Sequence, residues 1–128
     1  MSQAAGSGSL NADLMTLLEI QDLRSKVREL QGETELESLE EEHFNIDPAE
    51  AIEALEDRIG GLEENLGSRV RRRYERVKDN LDRVVVPVIN EVCYGCFVHI
   101  ATAVARDQDP NESIRTCETC GRFIYILP

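Results

Sequence analysis

Four cysteines arranged as two Cys-x2-Cys pairs constrain the fold of this 128-residue chain more than any other feature. The pairs are Cys93 with Cys96 and Cys117 with Cys120, and twenty residues separate them. A Cys-x2-Cys turn presents two thiolates from one backbone knuckle, and Zn²⁺ takes four such ligands in a tetrahedron. The spacing therefore predicts one structural zinc ion in a small C-terminal ribbon. Because four sulfurs leave no coordination position open, this zinc is expected to stabilise the fold and not to activate water.

Two other interpretations of the cysteines compete with a zinc site. Paired Cys-x-x-Cys motifs also serve redox chemistry, and buried cysteines can simply be small apolar residues. His99 follows Cys96 by three residues and is an alternative ligand, although a single histidine in an apolar segment is more often packed or exposed. Gly95 and Gly121 favour zinc, because glycine accepts the positive φ values that tight knuckles use. Two basic residues would offset the charge of four thiolates: Arg115 and Arg122.

The rest of the chain has the composition of long, solvated helices. It has no tryptophan, 5% aromatic residues and 30% charged residues, so large side chains for a globular core are scarce. The net charge of -11 argues against a general nucleic-acid binder. The N-terminal residues lack the features of a secretion signal, and no apolar run reaches the roughly 18 residues of a membrane span. We expect a cytoplasmic protein without membrane association, in which residues 1–9 are disordered.

Apolar residues at steps of three and four predict two long helices. The first stripe covers residues 10–30 and is interrupted at Gly32. A capping-box pattern at Thr34 and Glu37 predicts that the helix either restarts there or kinks and continues to about residue 42. The second stripe covers residues 52–81 as one helix with a near-heptad pattern. Two narrow apolar stripes are buried most simply against each other. Residues 10–82 are therefore predicted to form an antiparallel coiled-coil hairpin.

The connection between the helices is predicted at about residues 43–47. Asp47 and Pro48 form a helix start, because a carboxylate accepts from the free N–H groups and proline fits the first helical position. A turn there would place Gly32 opposite the pair Gly60–Gly61. These glycines would either weaken the hairpin at that point or let the helices approach closely, and the sequence does not separate the two.

Charge is sorted along the predicted hairpin. Residues 33–64 hold thirteen acidic residues and one basic residue, whereas residues 69–83 hold seven basic residues and three acidic ones. The distal end is therefore strongly negative, and the base is positive. The candidate nucleic-acid contacts at the base are Arg69, Arg71, Arg72, Arg73, Arg76 and Lys78. The candidate partner contacts near the acidic tip are Asp47, Glu50 and Asp57.

Residues 83–128 are predicted to form the zinc ribbon. The segment Val84–Ile89 is rich in β-branched residues and contains Pro87, which suits an edge strand, and Phe123–Leu127 makes a matching final strand. The predicted fold class is mainly α with a small β zinc ribbon. No phosphate loop, nucleophile elbow or His-Glu metal motif is present in the sequence, so an enzyme is not expected.

The C-terminal motifs resemble those of the bacterial C4-type zinc ribbon domain proteins. The resemblance rests on Cys93-Tyr-Gly-Cys96 and on Cys117-Glu-Thr-Cys120-Gly-Arg-Phe-Ile-Tyr125. It covers about residues 84–127 and is only architectural over the helices. It implies that the four cysteines bind zinc, with Gly95, Gly121 and Arg122 in the knuckles. It also implies a bacterial cytoplasmic protein that binds nucleic acid, or that acts as a partner or chaperone of flagellar, secretion or transcription components.

Three functions remain open on the sequence. The first is a non-catalytic adaptor or chaperone-like protein that contacts a protein partner, with nucleic acid as a second ligand. The alternative is a DksA-like RNA polymerase secondary-channel factor with an acidic coiled-coil tip. The third is direct RNA or DNA binding, although pairing of the arginines with Glu75 and Asp79 on a solvated helix face competes with it. A short two-helix core also leaves room for a homo-oligomer.

Overall fold

The structure is a computed structural model that describes residues 10–36, 47–81 and 83–127, with only the backbone for residues 33–36. Three predictions therefore lie outside the described residues. They are the disorder of residues 1–9, the continuation of the first helix from residue 37 to about residue 42, and the turn at residues 43–46.

The two predicted helices pack against each other as an antiparallel hairpin. They are α1 (Ala12–Leu36) and α2 (Pro48–Glu64). The side-chain oxygen of Asn11 caps α1 by accepting from the N–H of Asp13 at 2.8 Å. Asp47 caps α2 by accepting from the N–H of Ala49 at 3.0 Å, so the predicted start signal is used. Within the described residues, every helix is too short or too polar to cross a bilayer.

The second apolar stripe is divided between two helices and is not the single helix that we predicted. A third helix, α3 (Ser68–Val77), begins after Gly67. The carboxylate of Asp13 accepts from the N–H of Gly67 at 3.3 Å, and a Cβ at Gly67 would lie 3.0 Å from that carboxylate. Leu66 and Tyr74 on either side of the break stay in the same buried cluster. Hydrophobic periodicity therefore continues through a break at which α1 contacts the chain.

The register of the hairpin also differs from the prediction. Arg58 Nη2 lies 2.9 Å from Glu19 Oε2, so Gly60 lies near that part of α1 and not opposite Gly32. A Cβ added at Gly32, Gly60 or Gly61 would meet no atom within 4 Å. These glycines therefore neither face one another nor bring α1 and α2 close together.

The C-terminal part is a sheet of four strands in the order β2-β1-β4-β3. The strands are β1 (Val85–Ile89), β2 (Val92–Cys93), β3 (Arg115–Thr116) and β4 (Phe123–Ile126), and the short helix α4 (Thr102–Ala105) lies between β2 and β3 in the chain. The strands β1 and β4 pair in parallel, whereas β2 and β3 add antiparallel. Together with the hairpin, this sheet confirms the predicted fold class.

The strand β1 is central, so the prediction that Pro87 marks an edge strand is wrong. The carbonyl of Pro87 accepts from the N–H of Tyr94 at 3.0 Å. Because the N and O of one residue point to the same side of a strand, the missing N–H of proline faces β2 as well. The strand β2 has two residues and pairs only with Val88 and Ile89. Pro87 therefore lies beyond the β2 ladder, where no hydrogen bond from its nitrogen is required.

The hairpin and the sheet share one hydrophobic core. Buried residues from α1 lie in the same cluster as buried residues of β1 and β4: Leu14, Leu17, Ile20, Val85 and Phe123. A second buried cluster lies around the cysteines and includes Val86, Val88, Ile100 and Ile124. The helical hairpin, called the arm below, is therefore packed at its base against the ribbon. The strand β1 contributes to both clusters.

Gln21 of α1 connects the arm to the start of β1. Its Oε1 accepts from the N–H of Val84 at 2.7 Å and from the N–H of Val85 at 2.9 Å. Its Nε2 donates to the carbonyl of Val85 at 2.8 Å. No sequence pattern pointed to this residue, because its partners lie more than sixty residues away.

Candidate metal centre

The two knuckles bring the four cysteine sulfurs together. Cys93 Sγ lies 3.9 Å from Cys120 Sγ, and Cys96 Sγ lies 3.7 Å from Cys117 Sγ. All four sulfurs lie within 4.8 Å of one another. Four sulfurs at about 2.3 Å from a tetrahedral Zn²⁺ would be about 3.8 Å apart. The donor set and its spacing therefore fit one zinc ion, which these four residues would hold.

The two knuckles share one backbone plan. The N–H of Phe97 donates to the carbonyl of Cys93 at 2.7 Å, and the N–H of Gly121 donates to the carbonyl of Cys117 at 2.8 Å. The residue after each second cysteine is left-handed, with φ of 61° at Phe97 and 80° at Gly121. Gly121 therefore has the conformation that we predicted. In the first knuckle, however, the left-handed residue is Phe97 and not Gly95.

Gly95 lies where an arginine side chain passes close to the backbone. Its N–H donates to Cys93 Sγ at 3.4 Å, and a Cβ at this position would lie only 2.6 Å from Cδ of Arg122. Arg122 crosses the knuckle and donates from Nε to the carbonyl of Arg83 at 2.8 Å. A Cβ at position 95 would have to displace the arginine side chain from the space that it occupies.

Of the two arginines predicted to offset the thiolates, only Arg122 acts on the cluster. Arg115 pairs with Asp107 instead, with 2.8 Å between Nη2 and Oδ2. Burial acts to raise the pKa of Cys120, but hydrogen bonds from the backbone N–H and side chain of Arg122 outweigh it and lower that pKa to about 7. Burial raises the pKa of Cys96 to about 12. Because the thiolate is the metal ligand, the contacts from Arg122 favour the form of Cys120 that binds metal.

His99 is not part of the sulfur cluster. Its Nε2 lies 3.1 Å from Glu91 Oε1, and its side chain is exposed. Glu91 also accepts from Arg106 Nε at 2.7 Å and from Thr102 Oγ1 at 3.3 Å. The hydrogen bond from Arg106 is the main cause that lowers the pKa of Glu91. Glu91 therefore ties the β1–β2 turn to α4, a role that the sequence did not reveal.

The first knuckle presents two aromatic rings to solvent. Tyr94 is 44% exposed and Phe97 is 68% exposed, and their ring centroids lie 5.4 Å apart. Tyr94 also lines a pocket of about 340 Å³ together with Arg83 and Arg122. Neither aromatic residue was among the predicted contacts, although both lie within or beside the first Cys-x2-Cys motif.

The six basic residues predicted to contact nucleic acid do not form one surface. Arg71 Nε lies 3.8 Å from Glu75 Oε2, and Lys78 Nζ lies 3.0 Å from Glu75 Oε1. Lys78 Nζ also lies 5.5 Å from the centre of the Tyr74 ring. The other four line one groove of about 520 Å³ between α3 and the sheet, the arginine groove: Arg69, Arg72, Arg73 and Arg76. Nucleic-acid binding stays a prediction.

The three tip candidates are spread along α2. Asp47 is occupied as the helix cap, while Glu50 and Asp57 are exposed. Asp57 lies ten residues beyond Asp47, which corresponds to about 15 Å along a helix. These side chains do not form one cluster, and their contact with a partner stays a prediction.

Two solved structures are similar to this chain. One is the HP0958 protein from Helicobacter pylori CCUG 17874, with 26% identity, a TM-score of 0.54, and coverage of 73% of this chain and 39% of that one. The other is CT398 from Chlamydia trachomatis, with 32% identity, a TM-score of 0.52, and coverage of 74% and 42%. No protein-family profile and no curated protein matches the chain. The chain spans about two fifths of the length of these two proteins; it resembles them in structure, and its cysteine cluster in a C-terminal β region is consistent with a zinc ribbon.

Proposed function

We propose that this protein is a cytoplasmic, non-catalytic zinc adaptor or chaperone-like protein of the C4-type zinc ribbon kind. The observation that carries the proposal is a cluster of four sulfurs whose first knuckle also carries an exposed pair of aromatic rings. Zinc held by four thiolates has no open position for water or substrate, so the metal would have a structural role. The first knuckle would contact the protein partner.

The metal would fix the orientation of the two rings. Tyr94 lies between two of the ligands, and Phe97 directly follows the second. Phe97 has a left-handed φ of 61°, which costs a residue other than glycine about 1 kcal/mol. Bonds from Cys93 and Cys96 to zinc would stabilise this conformation. Loss of the metal would release both rings together, so partner binding would depend on zinc although zinc takes part in no reaction.

The rings have the properties of an interface contact. Large aromatic side chains are enriched in protein–protein interfaces, where burial of their apolar surface dominates the binding energy. The pocket beside Tyr94 is lined by Arg83 and Arg122, which would supply a polar rim. By resemblance, the partner would belong to the transcription machinery or to the secretion and flagellar machinery.

The proposal is tested by quantitative affinity capture from native cytoplasm under reducing conditions. The double variant Tyr94→Ala, Phe97→Ala is compared with the wild-type protein and with Met15→Ala, a matched control because Met15 is 55% exposed on α1. Zinc content and circular dichroism are measured on the same samples. We expect the double variant alone to lose the partner, and the purified partner to bind it at least about tenfold more weakly.

Equal capture by all three proteins would exclude the first knuckle as the recognition surface. A second double variant, Glu50→Gln with Asp57→Asn, distinguishes the adaptor function from the alternative of a secondary-channel factor. If that variant lost RNA polymerase subunits while the aromatic variant retained them, the secondary-channel alternative would be favoured.

A further inference from the structure

We propose that the arginine groove docks the acidic outer face of α2 from a second copy of this chain. This inference does not rest on the proposed contact of the aromatic rings. It follows from the charge pattern of two neighbouring helices and from a pair of glycines that have no packing role within the chain.

The arginine groove brings four positive charges together. Its four arginines recur at helical steps of three and four, so they lie on one face of α3. Among the described residues, none of the four forms an ion pair, in contrast to Arg71 and Lys78 on the same helix. Val70 and Ile114 also line the groove and give it apolar patches. Neighbouring guanidinium groups repel one another, and an anionic partner would relieve that repulsion.

The outer face of α2 carries the complementary charge. Its exposed carboxylates follow one another at steps of three and four residues: Glu50, Glu53 and Asp57. Ile59 and Leu62 on the opposite side of α2 are buried against α1. The acidic face is therefore directed away from the hairpin core.

Gly60 and Gly61 lie next to the acidic face in the chain. A Cβ at either position would meet no atom within 4 Å, and each glycine costs a helix about 1 kcal/mol relative to alanine. Nothing packed against α2 in the described chain requires them. A flat stretch on an exposed helix lets the backbone of another helix approach closely.

The two charge patterns match in an antiparallel arrangement. Along α2 toward its C-terminus, the acidic residues are separated by three and then four positions. Along α3 toward its N-terminus, Arg76, Arg73 and Arg69 are separated by the same three and then four positions. Each set spans about 10 Å along its helix. The opposed pairs would be Glu50 with Arg76, Glu53 with Arg73 and Asp57 with Arg69. A two-fold symmetric dimer would make this contact twice in the same register, with each chain supplying one groove and one acidic face.

A second copy suits the arginine groove better than nucleic acid does. The chain carries a net charge of -11, which disfavours the approach of a polyanion. A second copy has the same overall charge but presents a fixed row of carboxylates at the spacing of the arginines. Nucleic acid in the groove is the competing outcome of the experiment below.

The test is sedimentation velocity of the full zinc-loaded chain, freed of nucleic acid by nuclease treatment and ion exchange. The protein is examined over a range of concentrations at roughly 10 mM salt, where the Debye length is about 30 Å, and at about 1 M salt, where it is about 3 Å. We expect association toward two chains at low salt and dissociation at high salt. Arg73→Glu and Glu53→Arg should each raise the dissociation constant at least about tenfold, and the double variant should recover most of that loss.

The matched control is Arg71→Glu, which changes the net charge equally but lies outside the arginine groove. Circular dichroism and zinc content establish that each variant is folded. A chain that stays monomeric at low salt at all concentrations would overturn the proposal. Equal weakening by Arg71→Glu, or no recovery in the double variant, would do the same. A monomer whose wild-type arginine groove binds a nucleic-acid oligomer that Arg73→Glu does not bind would assign the groove to nucleic acid instead.

Discussion

The side chain of Gln21 offers the sharpest test of how the arm is joined to the ribbon. Replacing it by leucine, whose side chain is one bond shorter, keeps the helix propensity but removes both hydrogen-bonding groups. Three backbone groups at the start of β1 would then lose their partner: the N–H of Val84 and the N–H and carbonyl of Val85. Val84 is 2% exposed and Val85 is 1% exposed, so water cannot readily replace the lost hydrogen bonds.

The expected loss of stability follows from this burial. A buried backbone group left without a partner costs about 1 to 3 kcal/mol, and partial relaxation of the strand would bring the three together to about 3 kcal/mol. For a chain of this size the loss corresponds to a fall in melting temperature of roughly 10 °C. Urea unfolding followed by circular dichroism in zinc-buffered solution measures it. The rate of zinc release to a chelator should rise as well, because β1 leads into the first knuckle.

The matched control is Gln31→Leu, because Gln31 is exposed on the same helix. Its stability should stay within about 0.5 kcal/mol of the wild-type value. The reasoning would be refuted if Gln21→Leu stayed within that limit too, or if both variants lost stability equally.

Three further predictions concern zinc, pH and the knuckle. Zinc removal, or Cys117→Ser, should unfold the sheet and also reduce helical circular dichroism at the base of α1, since the two share a core; unchanged helicity and melting would contradict this. Burial, and after it the hydrogen bond to Glu63, raise the pKa of the Tyr74 hydroxyl. The contribution of Tyr74 to folding stability is therefore complete below the unfolded pKa of about 10 and is lost as pH rises further. The Tyr74→Phe variant should therefore lose less unfolding free energy than the wild-type protein between about pH 9 and pH 11 in urea titrations. Equal slopes of unfolding free energy against pH for the two proteins would refute this. Gly95→Ala should weaken zinc retention about tenfold in chelator competition by displacing the arginine that crosses the knuckle, whereas Gly32→Ala should leave it unchanged.

The four-cysteine cluster could be predicted from local sequence. A Cys-x2-Cys knuckle is a short-range structure, and four sulfurs have few ways to meet except around one ion. Within the knuckles, the left-handed glycine at position 121 was predicted correctly, while the left-handed residue of the first knuckle was not. Phe97 adopts that conformation although its side chain disfavours it, which only the closed knuckle shows. The role of Gly95 depends on Arg122, a residue from the other knuckle.

The charged residues show where pattern alone was insufficient. Six basic residues in one segment gave one prediction, but α3 directs four of them to the arginine groove while Arg71 and Lys78 pair with acidic neighbours. Helical periodicity gives the angle of each residue around its helix, yet it does not say which face a neighbouring sheet approaches. The same limit explains the misplaced glycines, because hairpin register depends on packing between the helices.

The sequence by itself determined the elements whose cause is local. It determined the two amphipathic stripes, the start of α2 at its aspartate and proline, and a four-cysteine ribbon, because apolar period, capping chemistry and ligand spacing act over a few residues. The tertiary structure decided the break at Gly67, the central position of β1, the bond from Gln21 to β1 and the core shared by arm and ribbon. Each of these depends on a contact between residues far apart in the chain, and the energy of such a contact is absent from any local pattern.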